Sequence, residues 1–278
     1  MESTENNTIK VAILDLYEGQ ANEGMRCIRT ILADWSKANH QTIEVKEFDV
    51  RLQLEVPDLD FDIYISSGGP GSPLETEGSA WEEKYFGWVE ALRDWNNQPN
   101  FPKKHAFFIC HSFQLFCRYF QLGNVCKRKS TSFGVFPVHQ MEDGHAEKVF
   151  SGLNDPFYCV DSRDYQVIEP NHEKINEMGG AILAIEKNRP HVPLERAVMA
   201  IRFSEYFIGT QFHPEADAHG MAMYLQREDK KKVVIDAHGE EKWKSMVEQL
   251  LDPGKIMWTY QHILPNFLTE ASRELILH

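Results

Sequence analysis

Long hydrophobic runs are missing from this chain of 278 residues: Val11 to Leu14 and Ala106 to Cys110 are strand-sized stretches, far short of the about 20 residues that span a bilayer. No membrane association is expected. Basic charge is also scarce, with 29 Lys and Arg against 42 Asp and Glu and a formal net charge of −13. Phosphate-backbone binding would need a local patch acting against that field, so no nucleic-acid partner is expected. The start, Met1 to Thr8, lacks the basic residues and apolar stretch of a secretion signal, which points to the cytoplasm. Cysteine is sparse and unpatterned: Cys27, Cys110, Cys117, Cys126 and Cys159 are odd in number and contain no C-x-x-C pair. That excludes a disulfide scaffold and disfavours a structural metal. Internal repeats, low-complexity linkers and the G-x-G-x-x-G and lysine-bearing nucleotide loops are absent too.

What is present is an alternation of periods. Lys10 to Leu16 is β-rich and apolar, and Glu23 to Ala38 carries Met25, Ile28, Ile31, Leu32 and Trp35 at helical spacing. Thr42 to Val50 and Phe61 to Ser66 read as further strands, Ser79 to Trp95 as a helix and His105 to Cys110 as a buried strand. Strands alternating with helices imply a doubly wound, mostly parallel α/β sheet with functional loops at the carboxyl ends of its strands. From about Ser130 to Phe212, short runs such as Val135 to Val138, Phe157 to Val160 and Ala181 to Ile185 are separated by turn residues, predicting an antiparallel β insertion. A helical C-terminal extension is expected over 216–278, packed on the domain of residues 1–215 beside the site, with Asp252-Pro253-Gly254 dividing two helices.

Three strand ends carry chemistry. Cys110 lies where a strand gives way to a helix, a geometry that projects the sulfur from a sharp turn and aims the helix amides at it. The other four cysteines read as buried and inert. His213 and Glu215 are two apart, so in extended chain they share a side and the carboxylate can orient the imidazole as the base of a thiol nucleophile. A helix-capping corner and a metal set of His213, Glu215, Asp217 and His219 are the other readings, but no second cluster completes the latter. Ser66 to Pro73 (SSGGPGSP) is a glycine-rich turn able to offer amides to an anion, and oxyanion binding ranks above phosphate binding there.

Together these segments resemble the class I glutamine amidotransferases, most closely the glutaminase portion of GMP synthase and its free-standing relatives. The resemblance rests on Gly68-Gly69-Pro70-Gly71-Ser72-Pro73, on Ile109-Cys110-His111-Ser112-Phe113-Gln114 and on Gln211-Phe212-His213-Pro214-Glu215 in that order, and extends over about Lys10 to Glu215. It implies a flavodoxin-like fold, Cys110 as nucleophile, His213 as base and acid, and Glu215 as its orienter. It further implies an oxyanion hole from the amides of Gly69 and His111, and contacts to bound glutamine from Gln114 and the Gly71 turn. Phe108 and Ser112 stand where the family usually has glycine. Phe108 is therefore expected to need extra space, and Ser112→Gly to ease the turn. Asp161-Ser162-Arg163-Asp164 replaces a glutamine-contacting segment, so the pocket is expected to differ.

The activity implied is hydrolysis of glutamine to glutamate and ammonia, with no organic cofactor and no catalytic metal. Since no nucleotide loop occurs here, either the synthetase that accepts the ammonia is a separate protein or there is none. A γ-glutamyl hydrolase or peptidase using the same triad, and a catalytically silent binding or regulatory protein, remain alternatives.

Overall fold

Strand and helix periods resolve into one sheet in the computed structural model, which describes residues 8–191, 193–252 and 254–276. Met1 to Asn7 of the polar start, Pro253 of the expected tail turn and the last two residues of the extension lie outside the described residues. The first half runs β1 (Ile9–Asp15), α1 (Gly24–Asn39), β2 (Ile43–Asp49), β3 (Ile63–Ser66), α2 (Ala80–Asn96), β4 (His105–Ile109) and α3 (His111–Tyr119). Then come β5 (Asn124–Gln140), α4 (Glu142–Ala146), β6 (Phe157–Ile168), α5 (His172–Glu177), β7 (Ala181–Glu186), β8 (Val198–Ser204) and β9 (Phe207–Thr210). The tail holds α6 (Ala218–Gln226), α7 (Glu228–His238), α8 (Glu240–Leu250) and α9 (Ile256–Ile276).

Among the described residues, nine strands form one sheet in the order β2-β1-β3-β4-β9-β8-β7-β5-β6. The pairs from β2 to β9 are parallel, and those from β9 to β6 are antiparallel. This is the expected mostly parallel half with its antiparallel insertion. Chain order reverses about β1, because β2 lies on one side of it and β3 on the other, so the carboxyl ends of β1 and β3 flank a crevice. Several elements escaped the sequence reading, the short helices α4 and α5 among them. β8 was not distinguished, and β5 extends well before Val135 through a register break between Lys127 and Ser132. Instead of two tail helices there are four among the described residues, one boundary falling at Gly239, whose φ of +86° ends α7.

Both sheet faces are covered. On one, Ile28, Ile31 and Leu32 of α1 pack with Ile263, Leu264, Phe267 and Leu268 of α9 over Val11, Ile13, Ile65 and Phe107. Trp35 Nε1 ties the two helices by donating to Thr269 Oγ1 at 3.0 Å. On the other face, α2 and α3 cover Ala12, Tyr64 and Phe108. The extra space expected for Phe108 is found there: its ring is fully buried at 4.8 Å from Phe116 and 6.0 Å from Phe203, on the face away from α9. A third, smaller cluster joins α6, α7 and α8 to β5 and β6 through Met221, Leu225, Val234, Met246, Val135 and Val160. Among the described residues no helix is long and apolar enough to cross a membrane.

Phe267 is fully buried against Phe107, with ring centroids 5.2 Å apart. Phe267→Ala should therefore lower unfolding free energy by about 3–5 kcal/mol in denaturant titration. A loss below about 1 kcal/mol would show that α9 only rests on the sheet.

Candidate active site

Parallel strands deliver their carboxyl ends to one edge, and four of them deliver Tyr17, the Gly68 loop, Cys110 and His213 there. Cys110 ends β4 with φ +48° and ψ −94°, a conformation that costs a non-glycine residue about 1–3 kcal/mol. Bonds on both sides hold it. The Cys110 amide donates to Thr210 O at 2.7 Å, and its carbonyl accepts from Gln114 N at 3.0 Å. Ser112 completes the clamp: its hydroxyl accepts from Ile109 N at 2.8 Å and lies 2.9 Å from Ser66 O, to which it donates. The expectation that glycine at 112 would ease the turn is thereby corrected. Glycine would remove the bonds that fix β3 and β4 together at the elbow and leave a buried amide unpaired.

The sulfur faces Gln211 Nε2 at 3.8 Å and Ser162 O at 3.9 Å. Gln211 is itself held, because Gln114 Nε2 donates to its Oε1 at 3.1 Å and to Tyr165 O at 3.2 Å. Gln114 therefore reaches the sulfur through Gln211. Opposite stands His213, whose amide is fixed by Val160 O at 3.0 Å and whose Nδ1 lies 2.8 Å from Glu215 Oε1. Glu215 is 1% exposed. Burial by itself would lower the His213 pKa, but the Glu215 carboxylate and the Cys110 sulfur more than offset it, holding the imidazole well above its ordinary 6.5. The imidazolium is thus the favoured form beside the thiol. Burial dominates at three other thiols, acting alone on Cys117 and outweighing nearby lowering contacts at Cys27 and Cys159; it pushes Cys27 up to about 12 and Cys117 and Cys159 well above their ordinary value.

The glycine-rich turn lies across from the sulfur. A Cβ at Gly69 would stand 2.5 Å from Leu16 O, and one at Gly68 would stand 2.9 Å from His213 Cε1, so only glycine lets the loop close on β1 and the imidazole. Two guanidiniums pin it: Arg51 donates to Pro70 O at 2.8 Å and Arg118 donates to Pro73 O. His111 opens α3, so its amide has no carbonyl four residues back to satisfy it. Its ring is buried, and desolvation, then Arg51 and Arg118, push its pKa down to about 3. It is neutral, and adds no charge to the site.

These parts line one cleft of about 1110 Å³, in which Cys110, His213, Glu215, Gly69, Gly71, His111 and Gln114 all meet. Residues 162–165 and the start of the tail at Ala216 and Asp217 also line it. The metal set is not brought together: Asp217 accepts two bonds from Arg26 Nη2, at 2.8 and 2.9 Å, and His219 is exposed. Two contributors were missed. Gln211 shares the period-two side of His213 and Glu215, a signal that was legible. Tyr17 was not, because its place beside Glu215 and His213 depends on Gly24 and Gly68, where a Cβ would fall 2.2 and 3.2 Å from its hydroxyl.

Residues 27–229 match the family described as glutamine amidotransferase class-I. No curated protein sequence matches the chain. Among solved structures, a glutamine amidotransferase from Thermotoga maritima is 15% identical with a TM-score of 0.64, over 95% of this chain and 97% of that one. The glutaminase domain of the Trypanosoma brucei CTP synthase, with bound acivicin, is 16% identical with a TM-score of 0.58, over 95% and 94%. A protein described as a GMP synthase component, from Thermoplasma acidophilum, is 16% identical with a TM-score of 0.50, over 85% and 98%. At these identities the likeness establishes a shared fold.

The raised pKa of His213 has a thermodynamic signature. Folding favours the imidazolium, so the resulting stability is full below the ordinary value of 6.5 and is lost as pH rises through the higher folded value. Thermal unfolding of wild type and Glu215→Gln, compared from about pH 6 to about pH 10, should show the largest gap at the acid end. The gap should narrow upward by at most about 1.4 kcal/mol per pH unit. A gap that widens with pH would contradict the assigned pairing.

Proposed function

Because the chain belongs to the class-I glutamine amidotransferase family, we propose that it cleaves the side-chain amide of glutamine to glutamate and ammonia through a γ-glutamyl thioester on Cys110. The observation that carries this reading is the alignment at one sheet edge of a cysteine in a left-handed turn with a histidine bonded at 2.8 Å to a buried glutamate. In the proposed sequence the Cys110 thiolate attacks the carboxamide carbon, and the carbonyl oxygen becomes an oxyanion facing the amides of Gly69 and His111. Each such donor is worth on the order of 10²-fold in rate. His213 gives its proton to the departing nitrogen, and the C–N bond breaks as the thioester forms. The neutral imidazole then takes a proton from water, which attacks the thioester and releases glutamate. Glu215 keeps the imidazole in the orientation and tautomer this exchange needs, while Gln114, acting through Gln211, steadies the sulfur. Every proton and bond change is supplied by these groups, so the sequence requires neither organic cofactor nor metal.

The fold shared with a protein described as a GMP synthase subunit and with the glutaminase domain of a CTP synthase supports a synthetase as the ammonia acceptor, as a separate protein for this chain. The size of the cleft favours a second reading, a γ-glutamyl hydrolase that uses the same three residues. Both depend on Cys110 as nucleophile.

Acivicin, which is bound in the trypanosomal domain, should modify Cys110 and spare the other four cysteines, with glutamine protecting. Cys110→Ala should lower ammonia release by about 10³-fold or more without loss of fold. Equal labelling of all five thiols in peptide maps, or undiminished glutamine hydrolysis by Cys110→Ala, would overturn the assignment.

A further inference from the structure

We propose that the cleft holds a leaving-group subsite for γ-glutamyl amides whose nitrogen carries an apolar substituent, giving the protein a further hydrolytic activity beside that on glutamine. The inference rests on Cys110 as nucleophile and His213 as the acid for the departing nitrogen.

Direction comes from the chemistry. The carbonyl oxygen must face Gly69 and His111, and the nitrogen must face His213, so any group on that nitrogen emerges on the His213 side. There the chain continues through Ala216 into α6, and His213 is bridged to Val160 of β6. The wall on this side of the cleft is formed by Phe133, Val160, Met221, Met223 and Val234. Val160, Met221 and Val234 belong to the small third core cluster, Phe133 packs against it, and Met223, which lines the same cleft, is 52% exposed. Ammonia leaving glutamine makes no use of such a wall. A cleft of about 1110 Å³ is also far larger than the ten heavy atoms of glutamine require and exceeds the about 300–1,000 Å³ usual for ligand sites. Methionine side chains are unbranched and polarisable, and adapt to apolar groups of differing shape. Of the four carboxylates that line the cleft, Glu23 and Asp217 are engaged by Arg26, at 2.5 and 2.8 Å, Glu215 is paired with His213, and Asp164 accepts from Thr131 Oγ1. An uncharged apolar group is therefore the class that fits.

The reaction balances as for glutamine. The thioester C–S bond forms, the amide C–N bond breaks, the primary amine departs with the proton of His213, and water converts the thioester to glutamate.

The test compares γ-glutamyl phenethylamide with γ-glutamyl methylamide, whose amines are of similar basicity, so that apolar contact is the main difference. The phenethylamide should protect Cys110 from iodoacetamide at about tenfold lower concentration and be hydrolysed with about tenfold higher kcat/KM. Met223→Glu, an exposed position unsuited to being a fold determinant, should reduce that ratio to near unity. Equal protection and equal turnover of the two amides, with glutamine still protecting Cys110, would overturn the subsite while leaving the nucleophile in place. Failure of glutamine and both amides to protect Cys110 would overturn the underlying reading as well.

Discussion

A cysteine with φ of +48° keeps that conformation only where bonds from several directions outweigh its strain. At Cys110 they come from Thr210 on β9, from Gln114 in the following helix, and from Ser112, which ties the turn to the end of β3. Three strands therefore converge on one residue. The turn places the sulfur outside the sheet edge while aiming the first amides of α3 inward. Other features of the site are arranged around that point: the glycine loop closes on it, Gln211 holds the sulfur, and His213 approaches from the neighbouring strand. Serine at 112 is a different solution from glycine, replacing freedom of the backbone with two hydrogen bonds that hold it.

Around the sulfur the charges are graded rather than uniform. Arg51 and Arg118 bind carbonyls of the glycine loop and, with burial, keep His111 neutral. Arg163 is buried in ion pairs with Asp161 at 2.7 Å and Glu186 at 3.3 Å. A desolvated guanidinium needs such partners, so residues 161–164 act as a braced floor of the cleft rather than as a flexible substrate loop. His213 is a strongly favoured cation facing the sulfur, sustained by a carboxylate with almost no exposure. Specific pairing, not the protein's net acidity, sets the local field.

The parallel half was legible because buried strands and amphipathic helices leave opposite periodic marks: the runs at Lys10, Phe61 and His105 are mostly apolar, and the latter two stop close to glycine or at a helix start. The three strand-end motifs followed from the same marks. β8 was hidden, since Val198 to Ser204 reads as a strand only once β7 and β9 flank it. The early part of β5 alternates exposed basic and polar residues, so no apolar period announces it. Tyr17 lay beyond local reading because its position is created by glycines 7 and 51 residues later. Phe108 looked crowded in sequence, yet the aromatic core between α2 and α3 receives it. Crowding is a property of the whole packing, and the residue types near a turn do not by themselves reveal it.

The central claim is that carbon–nitrogen cleavage passes through a covalent bond to Cys110. Protein mixed with glutamine, quenched in acid within milliseconds to seconds and digested, should yield the peptide bearing Cys110 heavier by one γ-glutamyl group. That adduct should be cleaved by hydroxylamine and be absent from Cys110→Ala. Ammonia released at full rate with no adduct on Cys110 at any quench time, or an adduct on another cysteine, would contradict the account.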